Sequence, residues 1–238
     1  MSKKKITRSS KSSKTQSYRL LVVAHPDDET LFFSGALLKQ KDKPWIVICV
    51  TNGNADGAGQ ARAKQFQAAC KKLKVSQAIQ LQFPDIYEKR LDINELIEQL
   101  QQFSEPSEVY THGIVGEYGH PHHQDVSCAV HRFYGDRIKV WVPAYNCEAD
   151  FTVKLSADEY KLKSNIYAGI YQGETLRFAG FLPNRTVDEY ARLSLTEVEE
   201  IYASILEKRA PEIKKLKKYK WFYGFLAEKN KSETKRPF

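Results

Sequence analysis

Short apolar runs recur along this chain, and between them lie stretches whose apolar residues repeat with helical spacing. The runs that read as strands are Leu20-Leu21-Val22-Val23-Ala24, Trp45-Ile46-Val47-Ile48-Cys49-Val50, Ala78 to Leu81, Glu108 to Thr111 and Ile138 to Pro143. The helical stretches run from Glu29 to about Lys39, Gln60 to Leu73, Ile93 to Phe103 and His123 to Phe133. Strands alternating with helices imply βαβ units. The expected fold is therefore α/β: a doubly wound, mainly parallel sheet flanked by helices. Ligands in such sheets bind outside the carboxyl ends of the strands. Chemistry is thus expected just after Ala24, Val50, Thr111 and Pro143. The final third reads as helical, over Leu195 to Leu206 and Pro211 to Lys220, and forms a C-terminal extension.

The charge distribution restricts the partners. The net charge is +8, but residues 1–14 hold six Lys/Arg and no acid, and residues 208–238 hold eleven Lys/Arg against three Glu. The ends thus account for +6 and +8, and the body between them is left at −6. A nucleic-acid-binding body would carry its basic residues on the folded face, so no nucleic-acid partner is expected. Residues 1–16 lack aromatics and periodicity and are expected to be a disordered basic tail, with one domain over 17–238 that includes a basic, aromatic helical extension at 206–238. That extension holds Lys214 to Lys220 beside Trp221-Phe222-Tyr223 and Phe225. It fits either a terminal helix packed on the body or weak contact of the basic termini with an anionic membrane surface. No apolar stretch follows the basic N-terminus, and none reaches the about 18–20 residues of a membrane helix, so the expected location is cytoplasmic. Cys49, Cys70, Cys128 and Cys147 show no zinc-ribbon spacing and read as reduced, buried thiols.

Two clusters sit at the expected strand ends. Ala24-His25-Pro26-Asp27-Asp28-Glu29 follows the first strand. A His and an Asp spaced i, i+3 at a strand-to-helix turn can face one point, and imidazole and carboxylate are both zinc ligands. Alone, the same residues also fit a helix N-cap. The second cluster, Gly116-Glu117-Tyr118-Gly119-His120-Pro121-His122-His123, follows the strand ending at Thr111, and four of the six histidines fall between 112 and 123. A His, Asp, His set with an open fourth position is a catalytic zinc arrangement.

In these motifs the sequence resembles the PIG-L/LmbE-like N-acetylglucosaminyl deacetylases. The AHPDDE at 24–29 and the GEYGHPHH at 116–123 carry the resemblance. Weaker similarity runs through Thr51-Asn52-Gly53, Arg62 and Phe83-Pro84-Asp85. The resemblance implies a Rossmann-like fold and one Zn2+ ion held by His25, Asp28 and His123, with another divalent metal as the alternative ion. It implies Asp27 as general base, His120 as general acid or electrostatic partner, Tyr118 as a donor to the substrate carbonyl and Arg62 as a substrate contact. The implied reaction removes the acetyl group from an N-acetylated sugar or glycolipid. The rival readings are an amidase acting on a non-sugar amide and a non-catalytic metal- or carbohydrate-binding relative. Two positions depart from the family pattern: His122 stands where Asp is common, and Gln65 where Glu is common.

Overall fold

The computed structural model describes residues 17–177 and 184–231. Among these residues, the strands expected above form part of a single sheet of seven. In chain order these are β1 (Arg19–Val23), β2 (Trp45–Thr51), β3 (Gln77–Phe83), β4 (Glu108–Thr111), β5 (Val140–Pro143), β6 (Phe151–Lys154) and β7 (Val187–Ala191). The helices are α1 (Asp28–Lys39), α2 (Gly59–Lys72), α3 (Ile93–Leu100), α4 (Pro121–Tyr134), α5 (Ala157–Asn165), α6 (Gln172–Arg177), α7 (Leu195–Leu206) and α8 (Tyr223–Lys229).

The sheet order is β3-β2-β1-β4-β5-β7-β6, with the first five strands parallel and β7 antiparallel to both neighbours. β1 explains why the apolar run has no polar alternation. Leu21 and Val23 pack on one face with Phe33 and Phe66, while Leu20, Val22 and Ala24 pack on the other with Val126 and Val130. A strand covered on both faces gains by being apolar throughout. The chain order reverses direction between β1 and β4, which pair directly, Leu20 against Val109 and Val22 against Thr111. This is the topological switch point, where an open α/β sheet leaves a crevice at its carboxyl edge. Both sequence clusters leave the sheet there, side by side.

The C-terminal region corrects the sequence reading in two ways. β6 and β7 were not expected; both are short, and the alternating burial of β6 marks an edge covered on one face only. The helix expected over Pro211 to Lys220 is also absent. Only single 3-10 turns form, at Ile213–Lys215 and Lys220–Phe222. The reason is competition for the backbone: buried Glu197 accepts the Lys217 and Tyr219 N–H groups at 2.8 and 3.0 Å through Oε1. Glu200 likewise accepts the Glu212 N–H at 2.8 Å and the Lys215 ammonium at 2.8 Å. The chain therefore runs along α7 and buries Leu216, Tyr219 and Leu226 against it, while Trp221 and Phe225 stay exposed. Several extension cations are consumed in this docking, Lys218 among them, bound to Asp150 at 2.6 Å. All four cysteines are free and buried, as expected. Among the described residues no helix is long and apolar enough to cross a membrane.

Candidate active site

The turn after β1 is strained. Asp27 precedes α1 with φ 119°, a conformation non-glycine residues rarely adopt and one that costs of order 1–3 kcal/mol. Its side chain makes no capping bond to α1, so the helix-cap alternative does not account for it. Instead its N–H donates to Glu29 Oε2 at 3.0 Å, and its carboxylate faces Arg62 Nη2 at 3.4 Å. Asp28 then opens α1 and turns its carboxylate inward, where Oδ2 accepts the His25 N–H at 2.8 Å.

The second motif needs its glycines. At Gly116, φ 77°, a Cβ would stand 2.6 Å from the His120 carbonyl oxygen, so only glycine lets the loop fold back on itself. The returning chain starts α4 with His120 as N-cap, its Nδ1 accepting the His122 N–H at 3.2 Å, and Pro121 in the first turn. His122 and His123 are thereby delivered fully buried.

Three donor atoms meet at the switch point. His25 Nδ1 lies 3.2 Å from His123 Nε2 and 3.4 Å from Asp28 Oδ2, and His123 Nε2 lies 3.4 Å from Asp28 Oδ2. The partners outside the triangle set the protons. His123 Nδ1 is 2.6 Å from Glu117 Oε2, so it carries the proton and leaves Nε2 with a lone pair. His122 Nε2 faces the carbonyl oxygens of Ile86 and Lys89, both at 3.0 Å, and must be the donor there. His122 Nδ1 is then an acceptor, and it takes the His25 Nε2–H at 3.1 Å. Neutral His25, the form that would bind an ion, also turns a bare nitrogen, Nδ1, to the centre. Three acceptors facing one another at this spacing call for a cation. Donors on a tetrahedral ion with bonds of about 2.0–2.2 Å stand about 3.3–3.6 Å apart, so the spacing suits a zinc-sized ion with a fourth position open.

The charges agree. Burial pushes His25 down, but its bonds to Asp28 and Asp85 outweigh that and raise it to about 10, so a proton is held where an ion would be. Burial likewise opposes ionisation of Asp28, yet the His123 and His112 rings beside it hold it well below the usual carboxylate range. Glu117 resists burial through His112 and His123 and falls to about 2. Asp27 is the exception: burial raises it well above the usual range, with Arg62 only partly offsetting this.

The remaining expected residues are distributed as follows. A ring nitrogen of His120 lies within 4.8 Å of donor atoms on His25 and His123. Because His120 Nδ1 accepts a backbone bond, its neutral ring keeps the proton on Nε2. Tyr118 stands at the mouth, 36% exposed, with its ring 5.3 Å from that of His123 and 5.9 Å from that of His120. Arg62 is buried as a hub: Nη2 donates to Pro26 O at 2.9 Å, and the guanidinium pairs with Asp27, Asp85 and Glu174 at 3.4, 3.6 and 3.6 Å. Sequence reasoning gave no role to His112, Glu117 or Asp85. His112 packs against His123 at 3.8 Å and accepts the Ala24 N–H at 2.9 Å, tying β4 to the first motif. Asp85 approaches His25 Nε2 at 3.4 Å and His122 Nδ1 at 3.5 Å. Glu117 and Asp85 both lie inside the motifs already singled out, which was the available signal.

Residues 20–134 match the family described as PIG-L: GlcNAc-PI de-N-acetylase, and they include both motifs and the whole donor triangle. The match covers just under half of the chain, and over that stretch the chain is similar to the PIG-L family. The chain is similar to the N-acetylglucosaminyl-phosphatidylinositol de-N-acetylase of Saccharomyces cerevisiae, 26% identical over 131 residues, covering 49% of this chain and 43% of that protein. It is 31% identical over 115 residues to a probable enzyme of the same name from Schizosaccharomyces pombe, covering 44% of this chain and 46% of that one. The matched stretch thus spans less than half of each relative's own length. Among solved structures, a deacetylase triple mutant from the teicoplanin biosynthetic pathway superposes with a TM-score of 0.58 at 18% identity, covering 74% of this chain and 99% of that one. That likeness shows a shared fold.

Proposed function

We propose that this protein is a metal-dependent hydrolase that removes the acetyl group from an N-acetylglucosamine-type sugar or glycoconjugate, giving acetate and a free amine. The observation that carries the reading is the triangle of bare acceptors, His25 Nδ1, Asp28 Oδ2 and His123 Nε2, inside the stretch that matches the PIG-L family. These three residues would hold the ion, zinc by the chemistry of the donor set. When bound, the ion supplies Lewis acidity to the acetamide carbonyl and to the attacking water.

The chain's own residues handle the protons. Asp27 is the base: its carboxylate is raised in proton affinity by burial and accepts a proton from the water as oxygen bonds to the carbonyl carbon. Arg62 keeps that carboxylate aimed and becomes its counter-charge. Tyr118, at the mouth, donates to the carbonyl oxygen as negative charge develops there. Asp27 passes the proton it has taken from the water to the nitrogen as the C–N bond breaks and is thereby ionised again, while neutral His120, with its proton on Nε2, stands beside the reacting groups as a hydrogen-bonding, electrostatic partner.

The test is metal analysis together with acetate release from a panel of N-acetylated sugars, glycolipids and simple amides. One equivalent of divalent metal and release from sugars is expected. Release from non-sugar amides alone would favour a general amidase, and sugar binding without release would leave a binding protein.

A further inference from the structure

Residues 166–174 lie beyond the stretch that matches the PIG-L family, yet one of their side chains ends on Asp27 and two more on residues that contact it. The segment is helical. α5 passes into a π-turn over Ile166–Ile170, closed by a bond from Tyr171 N–H to the Ile166 carbonyl, and then into α6. The contacts of Tyr167, Tyr171 and Glu174 put these three side chains on one face of the segment. π-turns recur at functional sites.

The Tyr167 hydroxyl donates to the Asp27 carbonyl oxygen at 3.2 Å. The Tyr171 hydroxyl donates to Glu29 Oε1 at 2.9 Å, and Glu29 Oε2 in turn accepts the Asp27 N–H at 3.0 Å. Glu174 Oε1 stands 3.6 Å from Arg62 Nε, and Arg62 faces the Asp27 carboxylate. The face therefore reaches the carbonyl, the N–H and the side chain of a single residue, once directly and twice through one intermediary. Both tyrosine rings are buried. Phenylalanine would fill the same volume, so the hydroxyls serve these bonds and not the packing. A backbone at φ 119° persists only where its surroundings over-determine it.

We propose that Tyr167, Tyr171 and Glu174 are positioning residues that hold Asp27 in its positive-φ conformation with its carboxylate presented to the substrate. The proposal rests on Asp27 being the base. Its test uses the full zinc-loaded chain carrying Tyr167→Phe, Tyr171→Phe or Glu174→Gln. Each should lower kcat for acetate release about tenfold, the scale of one lost buried hydrogen bond, with KM and zinc content unchanged. In an Asp27→Asn background the same substitutions should cause no further loss, because a brace acts only through what it holds. Amide exchange of Asp27, followed by NMR in the metal-free protein, should quicken in Tyr171→Phe. Equal losses in both backgrounds would overturn the proposal, since they would mark a general structural role. Wild-type kcat in the two Phe variants would overturn it too. If Asp27→Asn itself turns over at the unmutated rate, the base assignment has failed; the exchange measurement then decides alone, and unchanged Asp27 exchange rejects the brace.

Discussion

The two sides of the site hold buried charge in opposite ways. On the α4 side, Glu117 binds two imidazoles at 2.6 and 3.1 Å and the Gly113 N–H at 2.8 Å, all fully or nearly fully buried. On the α1 and α2 side, three carboxylates share one guanidinium at 3.4–3.6 Å, too long for strong hydrogen bonds, and Asp27 is only partly buried on a strained backbone. Short bonds fix a nitrogen's direction and its proton. Loose ion pairs leave a carboxylate free to gain and lose one. On the assignment proposed above, the difference teaches that the ligand side is built for rigidity and the base side for proton transfer.

Substitutions on the two sides should therefore fail differently. The largest effect is expected from His123→Ala, which removes a corner of the triangle: metal content and acetate release should both fall to background, measured by elemental analysis and a coupled acetate assay. His120→Ala should keep the metal and lose only rate, and equal metal content in both variants would erase the distinction between corner and neighbour. Next comes Asp27→Asn, nearly isosteric but without basicity. It should retain metal and sugar binding while kcat falls about 10²–10⁴-fold, equivalent to about 3–5 kcal/mol at the transition state. Wild-type release from that variant would move the base elsewhere. A smaller effect is expected from Glu117→Gln, which loosens the grip on His123 Nδ1: metal affinity should drop about 10–100-fold, read by competition with a chelator. Unchanged affinity would mean the short bond contributes no rigidity. Smallest of all, removal of residues 1–14 should leave kcat and KM on a soluble substrate unchanged, because that stretch carries six cations and, beyond Met1, a single apolar residue, Ile6.

The same division governs what could be read from the sequence. β1 and β2 were legible because a strand covered on both faces is written as an apolar run, and the two motifs were legible because they follow β1 and β4 directly. β6 was not, since Phe151-Thr152-Val153-Lys154 is a four-residue alternating ribbon at a sheet edge, a pattern that loops also show. The helix expected from Pro211 failed because Glu197 and Glu200, on another element, capture its backbone N–H groups. Tyr167 and Tyr171 meet Asp27 and Glu29 across 140 and 142 residues of chain. No local period encodes such a meeting. Arg62 was visible as a residue, but its burial among three acids was not.

One feature of the docked extension bears on how the site comes into being. Tyr219 is fully buried, and its hydroxyl lies 3.3 Å from where a Cβ on Gly113 would stand, beside Glu117. Gly113 and Glu117 belong to the bonds that orient His123. A ribosome releases this chain from its first residue onward, so every proposed ligand leaves the tunnel well before Tyr219 does. The nascent protein thus holds all its metal donors while the floor beneath one of them is still missing, and metal capture during translation would meet an unfinished cup.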